Sequence, residues 1–221
     1  MNIEQARFNM IEQQIRPWEV LDSHVLELLS VVKREDFVPP AHRALAFVDM
    51  EIPLREGGAR GQVMLAPRVE ARLLQDLAVR KHEKVLEVGA GSGYMAALLA
   101  HRAQRVVTLE IEPELASMAR ANLQKAGIHN ADVRQADGAA GVQADGPFDV
   151  ILLSGSVAEV PRQMLEQLKV GGRLAAIVGD EPMMRAQFIT RTADNAWSTT
   201  DPWDTVAPRL VNFPEPSRFH F

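Results

Sequence analysis

The 221-residue chain contains no cysteine. That excludes disulfides, thiolate metal ligands and cysteine nucleophiles, and it suits a reducing compartment. Long apolar runs are missing too. The most apolar helical stretch, Tyr94 to Ala100, falls far short of the ~20 residues that span a bilayer. Met1–Gln5 lacks the basic segment and apolar core of a signal peptide, so the cytoplasm is the expected location and a membrane is not an expected partner. Basic residues are in deficit: 24 Lys and Arg stand against 29 Asp and Glu, a formal charge of −5. An acidic surface repels phosphate backbones, which argues against nucleic acid as a partner. The histidines (His24, His42, His82, His101, His129 and His220) are scattered without metal-ligand spacing, so no metal is expected.

What remains is the composition of an ordinary globular protein, 47% hydrophobic and 24% charged. The pattern predicts a single domain in three parts. Residues 1–66 form a helical and loop cover. Residues 4–15 carry Met10, Ile11 and Ile15 at helical spacing before Arg16-Pro17, and Asp22 stands as an N-cap ahead of Val25, Leu26, Leu29 and Val32. A glycine-rich loop follows at residues 55–61. Residues 67–180 form the core, opening at Pro67 on a helix with Val69, Leu73, Leu74 and Leu77 on one face. Strands are predicted at 84–88, 105–109, 131–136, 150–153 and 173–178, with helices at 94–100, 113–126 and 161–168 between them. This alternation predicts an α/β fold with a parallel sheet wrapped by helices. In residues 181–221, two longer strands at 187–192 and 197–206 are expected to pair as a hairpin before a proline-punctuated tail.

The stretch "VLEVGAGSGY", Val85 to Tyr94, carries the chemistry. A strand delivers Glu87, and Gly89-Ala90-Gly91-Ser92-Gly93 turns into a helix; glycine lets the backbone turn tightly and approach a ligand. A dinucleotide fold needs G-x-G-x-x-G, but Tyr94 occupies the place of the third glycine. The spacing is G-x-G-x-G, with an acid two residues ahead. Glu87 would repel a pyrophosphate and suits the cationic amino-acid portion of S-adenosylmethionine (AdoMet). Glu110 ends the second strand about twenty residues on, where a carboxylate accepts from both ribose hydroxyls. Asp137-Gly138 ends the third, placed for the adenine amine.

Together with "VPRQMLEQLKVGGRLAAIVG" (160–179), "MIEQQI" and "VVKREDFVPPAHRALAFVDMEIPL", this motif resembles the protein-L-isoaspartate O-methyltransferase family from about Met10 to Gly179. The resemblance implies a class I AdoMet-dependent methyltransferase fold, Rossmann-like, with a seven-stranded mostly parallel sheet. It also implies methyl esterification of L-isoaspartyl carboxylates in protein repair, with S-adenosyl-L-homocysteine (AdoHcy) as product. The expected cofactor set is Glu87, Gly89, Ala90, Gly91, Gly93, Glu110, Ile111, Asp137, Gly138 and Ser154; no catalytic residue is singled out.

The match fails in "GQVMLAP", Gly61 to Pro67. The family has G-x-T-I/V-S-x-P there, whose hydroxyls meet cofactor and substrate; this chain has Val63 for the threonine and Leu65 for the serine. A carboxylate acceptor ionises far below neutrality and needs no general base, but once buried it does need hydrogen-bond donors. Ser154, Ser156, Arg55 and Arg60 are the candidate replacements. His42 is the one histidine near the expected acceptor side, while Met183, Met184, Trp197 and Trp203 are expected to be packing residues. Three readings follow: a divergent isoaspartyl enzyme acting on a protein or peptide, a methyltransferase of the same fold with a different, small apolar acceptor, or a non-catalytic AdoMet-binding protein.

Overall fold

The computed structural model describes residues 2–58 and 61–215. Helix α1 (Ile3–Met10) is capped by the Asn2 side chain and runs into a π-type turn, Ile11–Ile15, and a tight turn at Arg16–Trp18 that holds Pro17. Asp22 caps α2 (Ser23–Val31), accepting from the backbone N–H groups of His24 and Val25. That satisfies donors which every helix start leaves free. The glycine-rich loop is not wholly irregular. Its flanks, β1 (Ile52–Pro53) and β2 (Val63–Met64), pair antiparallel.

Pro67 opens α3 (Pro67–Leu77), which turns Val69, Leu73, Leu74 and Leu77 inward. Strand β3 (Lys84–Val88) and helix α4 (Tyr94–Arg102) flank the glycine motif. β4 (Arg105–Glu110), α5 (Pro113–Lys125) and β5 (Ala131–Gln135) follow, and Gly127 takes a left-handed φ of +71° just past the α5 terminus. β6 (Phe148–Val157), a short α6 (Arg162–Leu165), β7 (Leu168–Asp180), β8 (Met183–Ala193) and β9 (Ala196–Asp204) complete the sheet.

The seven strands lie in the order β5-β4-β3-β6-β7-β8-β9. β3 to β7 pair parallel, and β8 and β9 form an antiparallel hairpin on the β7 edge. The class I methyltransferase architecture and the C-terminal hairpin are thus present. Several boundaries differ from the sequence pattern: β7 and β8 run past the expected 173–178 and 187–192 because they pair as far as Asp180 with Met183, and β9 ends at Asp204 rather than 206. The helix expected over 161–168 stops at Leu165, because Leu168 pairs with Phe148 and the Gln167 carbonyl accepts the Phe148 N–H. β6 runs on to Val157 because Ser156 and Val157 pair with Ile177 and Val178. One buried cluster joins the N-terminal residues Met10, Ile15 and Leu29 to Leu73, Leu98, Val150 and Ile177, so the cover shares its core with the sheet. No helix among the described residues is long and apolar enough to cross a membrane.

Candidate active site

The chain leaves β3 in two directions, through β4 to β5 and, after the crossover, through β6 to β7. The strand order therefore reverses between β3 and β6, the place where open α/β sheets bind ligands at their carboxyl ends. A cleft of about 170 Å³ opens there. Of the expected cofactor residues, Gly89, Gly91, Glu110, Ile111, Asp137, Gly138 and Ser154 line it. Ala90 lines a smaller cavity of about 30 Å³ next to it, which Val63, Leu65, Glu70 and Ser154 share. Gly93 and Glu87 line neither.

The glycine loop is tied back to β4. Gly89 and Gly93 hold φ of +95° and +83°, a region in which other residues are strained. The N–H groups of Gly89 and Ala90 both donate to the Leu109 carbonyl, at 2.9 and 3.1 Å, and that of Gly93 donates to the Ala90 carbonyl at 2.7 Å. The Gly91 N–H donates to Glu110 Oε2 at 2.8 Å. Three of these donors are thus taken by β4 and one by the loop itself, although a dinucleotide fold uses such donors to cradle phosphate. Glu110 also accepts the Glu112 N–H at 3.1 Å, which fixes its carboxylate at the cleft wall with lone pairs to spare. Gly138 packs flat on β3: a Cβ there would lie 2.2 Å from Val88 Cγ1.

Glu87 does not present its carboxyl to the cleft as the sequence suggested. It is fully buried behind the loop, where Thr108 Oγ1 donates to it at 2.6 Å and Ser154 Oγ at 2.8 Å. Burial pushes its pKa from the ordinary 4.5 up to about 8, against the opposing pull of those two hydroxyls. The folded chain therefore holds a proton on Glu87 at neutral pH that the unfolded chain releases. The stability this group contributes is complete below the unfolded pKa of about 4.5 and is lost as pH rises through about 8. Replacing Glu87 with Gln keeps the shape and a neutral group, so the Tm of the variant should fall less steeply than that of the native chain between about pH 5 and 8. Parallel slopes in thermal melts would show that Glu87 is ionised in the fold.

The candidate acceptor-side residues separate clearly. Ser154 lines the cleft, but its hydroxyl is committed to Glu87. Ser156 is fully buried, lines neither the cleft nor the smaller cavity, and its Oγ has no partner among the described residues. Arg55 is not free to meet a substrate carboxylate. Its Nη2 reaches Glu112 at 3.2 Å, its Nη1 pairs with Glu114, and its Nε donates to Gln62 Oε1 at 2.8 Å. Arg60 and His220 lie outside the described residues. His42 sits in a turn at Pro40–Leu45 and lines neither the cleft nor its neighbour. Trp203 donates to Asp76 at 2.8 Å, and Met184 is buried while Met183 is exposed.

Sequence reasoning missed one wall of the cleft altogether. Arg209, Leu210, Val211 and Phe213, from the segment expected to be an irregular tail, line it. The Ser156 N–H donates to the Pro208 carbonyl at 2.7 Å and the Leu210 N–H to the Ser156 carbonyl at 2.8 Å, so this strap is stitched to the end of β6. Asn212 Nδ2 donates to Asp137 Oδ2 at 2.7 Å, and the other Asp137 oxygen caps the turn at Gly138. A signal did exist: Gly155 lies inside a strand, where glycine marks a close approach, and a Cβ there would lie 2.8 Å from the Leu210 side chain.

The family model described as "Protein-L-isoaspartate(D-aspartate) O-methyltransferase (PCMT)" matches residues 5–206. Protein-L-isoaspartate O-methyltransferase 1 of Syntrophobacter fumaroxidans is 40% identical over 180 residues, covering 81% of this chain and 82% of its own. Protein-L-isoaspartate O-methyltransferase 2 of an Anaeromyxobacter species is also 40% identical, over 191 residues, covering 86% of this chain and 77% of its own. A solved protein-L-isoaspartate O-methyltransferase superposes with a TM-score of 0.78 at 24% identity; 91% of this chain spans 65% of that one. A second solved structure, a Plasmodium falciparum protein described as a member of the same enzyme class in complex with S-adenosyl-L-homocysteine, gives 0.74 at 18% identity, covering 95% and 98%.

Proposed function

The chain belongs to the protein-L-isoaspartate (D-aspartate) O-methyltransferase family, and from that premise we infer that it transfers a methyl group from AdoMet to the carboxylate of L-isoaspartyl residues in polypeptides. The observation that carries the cofactor reading is the glycine loop. The N–H groups of Gly89, Ala90, Gly91 and Gly93 are already taken by Leu109, Glu110 and Ala90, and the Glu110 carboxylate stands beside them, which suits a sulfonium cofactor without phosphate and opposes a dinucleotide. In this reading Glu110 accepts the ribose hydroxyls, Asp137 and Gly138 border the adenine, and Ile111 covers its face. Gly89, Ala90 and Gly91 give the amino-acid end close backbone approach, Gly93 lets the loop enter α4, and Glu87 holds Ser154 in place from behind.

When bound, AdoMet would supply an electrophilic methyl for a carboxylate oxygen, the electron pair of its carbon–sulfur bond remaining on the sulfur of AdoHcy. The acceptor is already an anion at neutral pH, so the chain needs no general base. Its work is alignment and exclusion of water, to which the largely apolar Val63, Met64 and Leu65 contribute. Leu65 also lines a separate groove of about 390 Å³ with Met50, Arg68, Pro182 and Val206. That groove offers room for chain flanking an acceptor residue held near Leu65, which favours a polypeptide. A second reading, a small apolar acceptor, draws on Val63 and Leu65 themselves, which put methyl groups where the family has hydroxyls.

The loop discriminates between these acceptors. A Val63→Thr, Leu65→Ser double variant restores two donors worth about 1–3 kcal/mol each, and its kcat/KM for an isoaspartyl peptide should rise at least roughly tenfold over the native chain. The check is base-labile methyl ester from labelled AdoMet, with an aspartyl peptide as control. No gain would mean that the native loop already meets the carboxylate with other groups. Label found only on small molecules of a cell extract would move the function to the second reading.

A further inference from the structure

Gln62 stands at the cleft mouth with its orientation decided by chemistry. An arginine N–H can only donate, so the Gln62 atom 2.8 Å from Arg55 Nε is the carbonyl oxygen Oε1. The amide nitrogen Nε2 is thereby turned the other way. It donates to nothing among the described residues, and Gln62 is one of the residues lining the cleft. Arg55 is itself held from two sides, by Glu112 at 3.2 Å and by Glu114 at the start of α5. Gly58 closes over the pair with no room for a side chain: a Cβ would lie 2.7 Å from Arg55 Cγ and 3.0 Å from Gln62 Oε1. The chain of contacts ends at Glu110, whose carboxylate accepts the Glu112 N–H at 3.1 Å. Gln62, Arg55 and Glu112 therefore span the mouth from the β1–β2 loop to the wall that carries Glu110.

We propose that Gln62 is a cofactor-binding residue at the ribose end of the cleft, and that Arg55, anchored by Glu112 and Glu114, is the positioning residue that aims its amide. A hydroxyl both donates and accepts. Glu110 takes the hydroxyl hydrogens from one side, and Gln62 Nε2 gives hydrogen bonds to the hydroxyl oxygens from the other. The clasp retains the cofactor and is indifferent to the acceptor; it rests on the AdoMet reading of the cleft and not on the isoaspartyl reading.

The decisive variant is Gln62→Glu. A glutamate keeps the bond to Arg55, since a carboxylate accepts from it at least as well, but it offers the ribose no donor and faces Glu110 with like charge. The measurement is calorimetric affinity for AdoHcy and for 5′-methylthioadenosine, which carries the ribose and lacks the amino acid. Both should bind roughly tenfold or more weakly to Gln62→Glu, by a similar factor, with thermal melts confirming the fold. Arg55→Gln should show a smaller, parallel loss. Unchanged affinity in Gln62→Glu overturns the proposal, and so does a loss confined to AdoHcy, which would move the contact to the amino-acid end. A native chain that binds neither ligand would overturn the cofactor reading itself, a result distinct from both.

Discussion

Glu110→Ala is expected to lose AdoHcy affinity by at least roughly a hundredfold while remaining folded. Two hydrogen bonds from ribose hydroxyls to an ionised carboxylate contribute about 1.5–3 kcal/mol each, and 1.4 kcal/mol is a tenfold change in binding. The side chain also fixes the wall it belongs to, through the N–H groups of Gly91 and Glu112. Those donors border the open cleft, where water replaces the lost oxygens, so the stability loss should be small beside the binding loss. Titration calorimetry alongside a thermal melt separates the two. An affinity within a few-fold of the native value would remove Glu110 from the ribose site.

Arg34→Met is expected to be the most destabilising single change of this set, by about 3–5 kcal/mol, because it leaves a buried carboxylate without its partner. Arg34 is fully buried: it pairs with Glu70, donates to the Leu65 carbonyl at 2.8 Å, and lies over the Tyr94 ring with its guanidinium carbon 5.3 Å from the centroid. Burial pushes the Glu70 pKa up to about 7 even with Arg34 beside it. Without the arginine, Glu70 must take up a proton to remain in the core. The deficit should therefore widen as pH rises above about 7, where Glu70 ionises beside Arg34 in the native chain but must stay protonated in the variant, and should level off below it. A Tm lowered by roughly 10 °C is the expected scale for a chain of this size. Adding Glu70→Leu should recover most of it, since removing both members of a buried pair costs far less than removing one. An unchanged urea midpoint for Arg34→Met would show that the pair contributes nothing. Loss of the bond to Leu65 should also loosen the acceptor loop, so kcat should fall further than the unfolded fraction explains.

The parts of this molecule that were legible in the sequence are those set by short-range chemistry. Asp22 caps its helix, Pro67 opens one, Gly127 follows another, and the acids at 110 and 137 stand at successive strand ends because period and turn residues dictate it. The misses share a cause. The strap at 208–213 borders the cleft through bonds to Ser156, more than fifty residues away. Arg55 looked free because its partners, Glu112 and Glu114, lie 57 and 59 residues further along the chain. Glu87 looked like a ligand because it precedes the glycines. Its direction was set instead by Thr108 on β4 and Ser154 on β6, which no local pattern names. The two-residue pairing of β1 with β2 escaped notice for the same reason: so short a strand has no period of its own.

The measurement that bears most directly on the function is methyl transfer by the native chain. Purified protein is given labelled AdoMet with an isoaspartyl peptide and, separately, with its aspartyl twin, and base-labile methyl ester is counted in each. Ester on the isoaspartyl peptide alone, abolished by Glu110→Ala, is the predicted result. Equal labelling of the two peptides, or none on either from a chain that binds AdoHcy, would contradict the isoaspartyl assignment and leave the cofactor cleft in need of another acceptor.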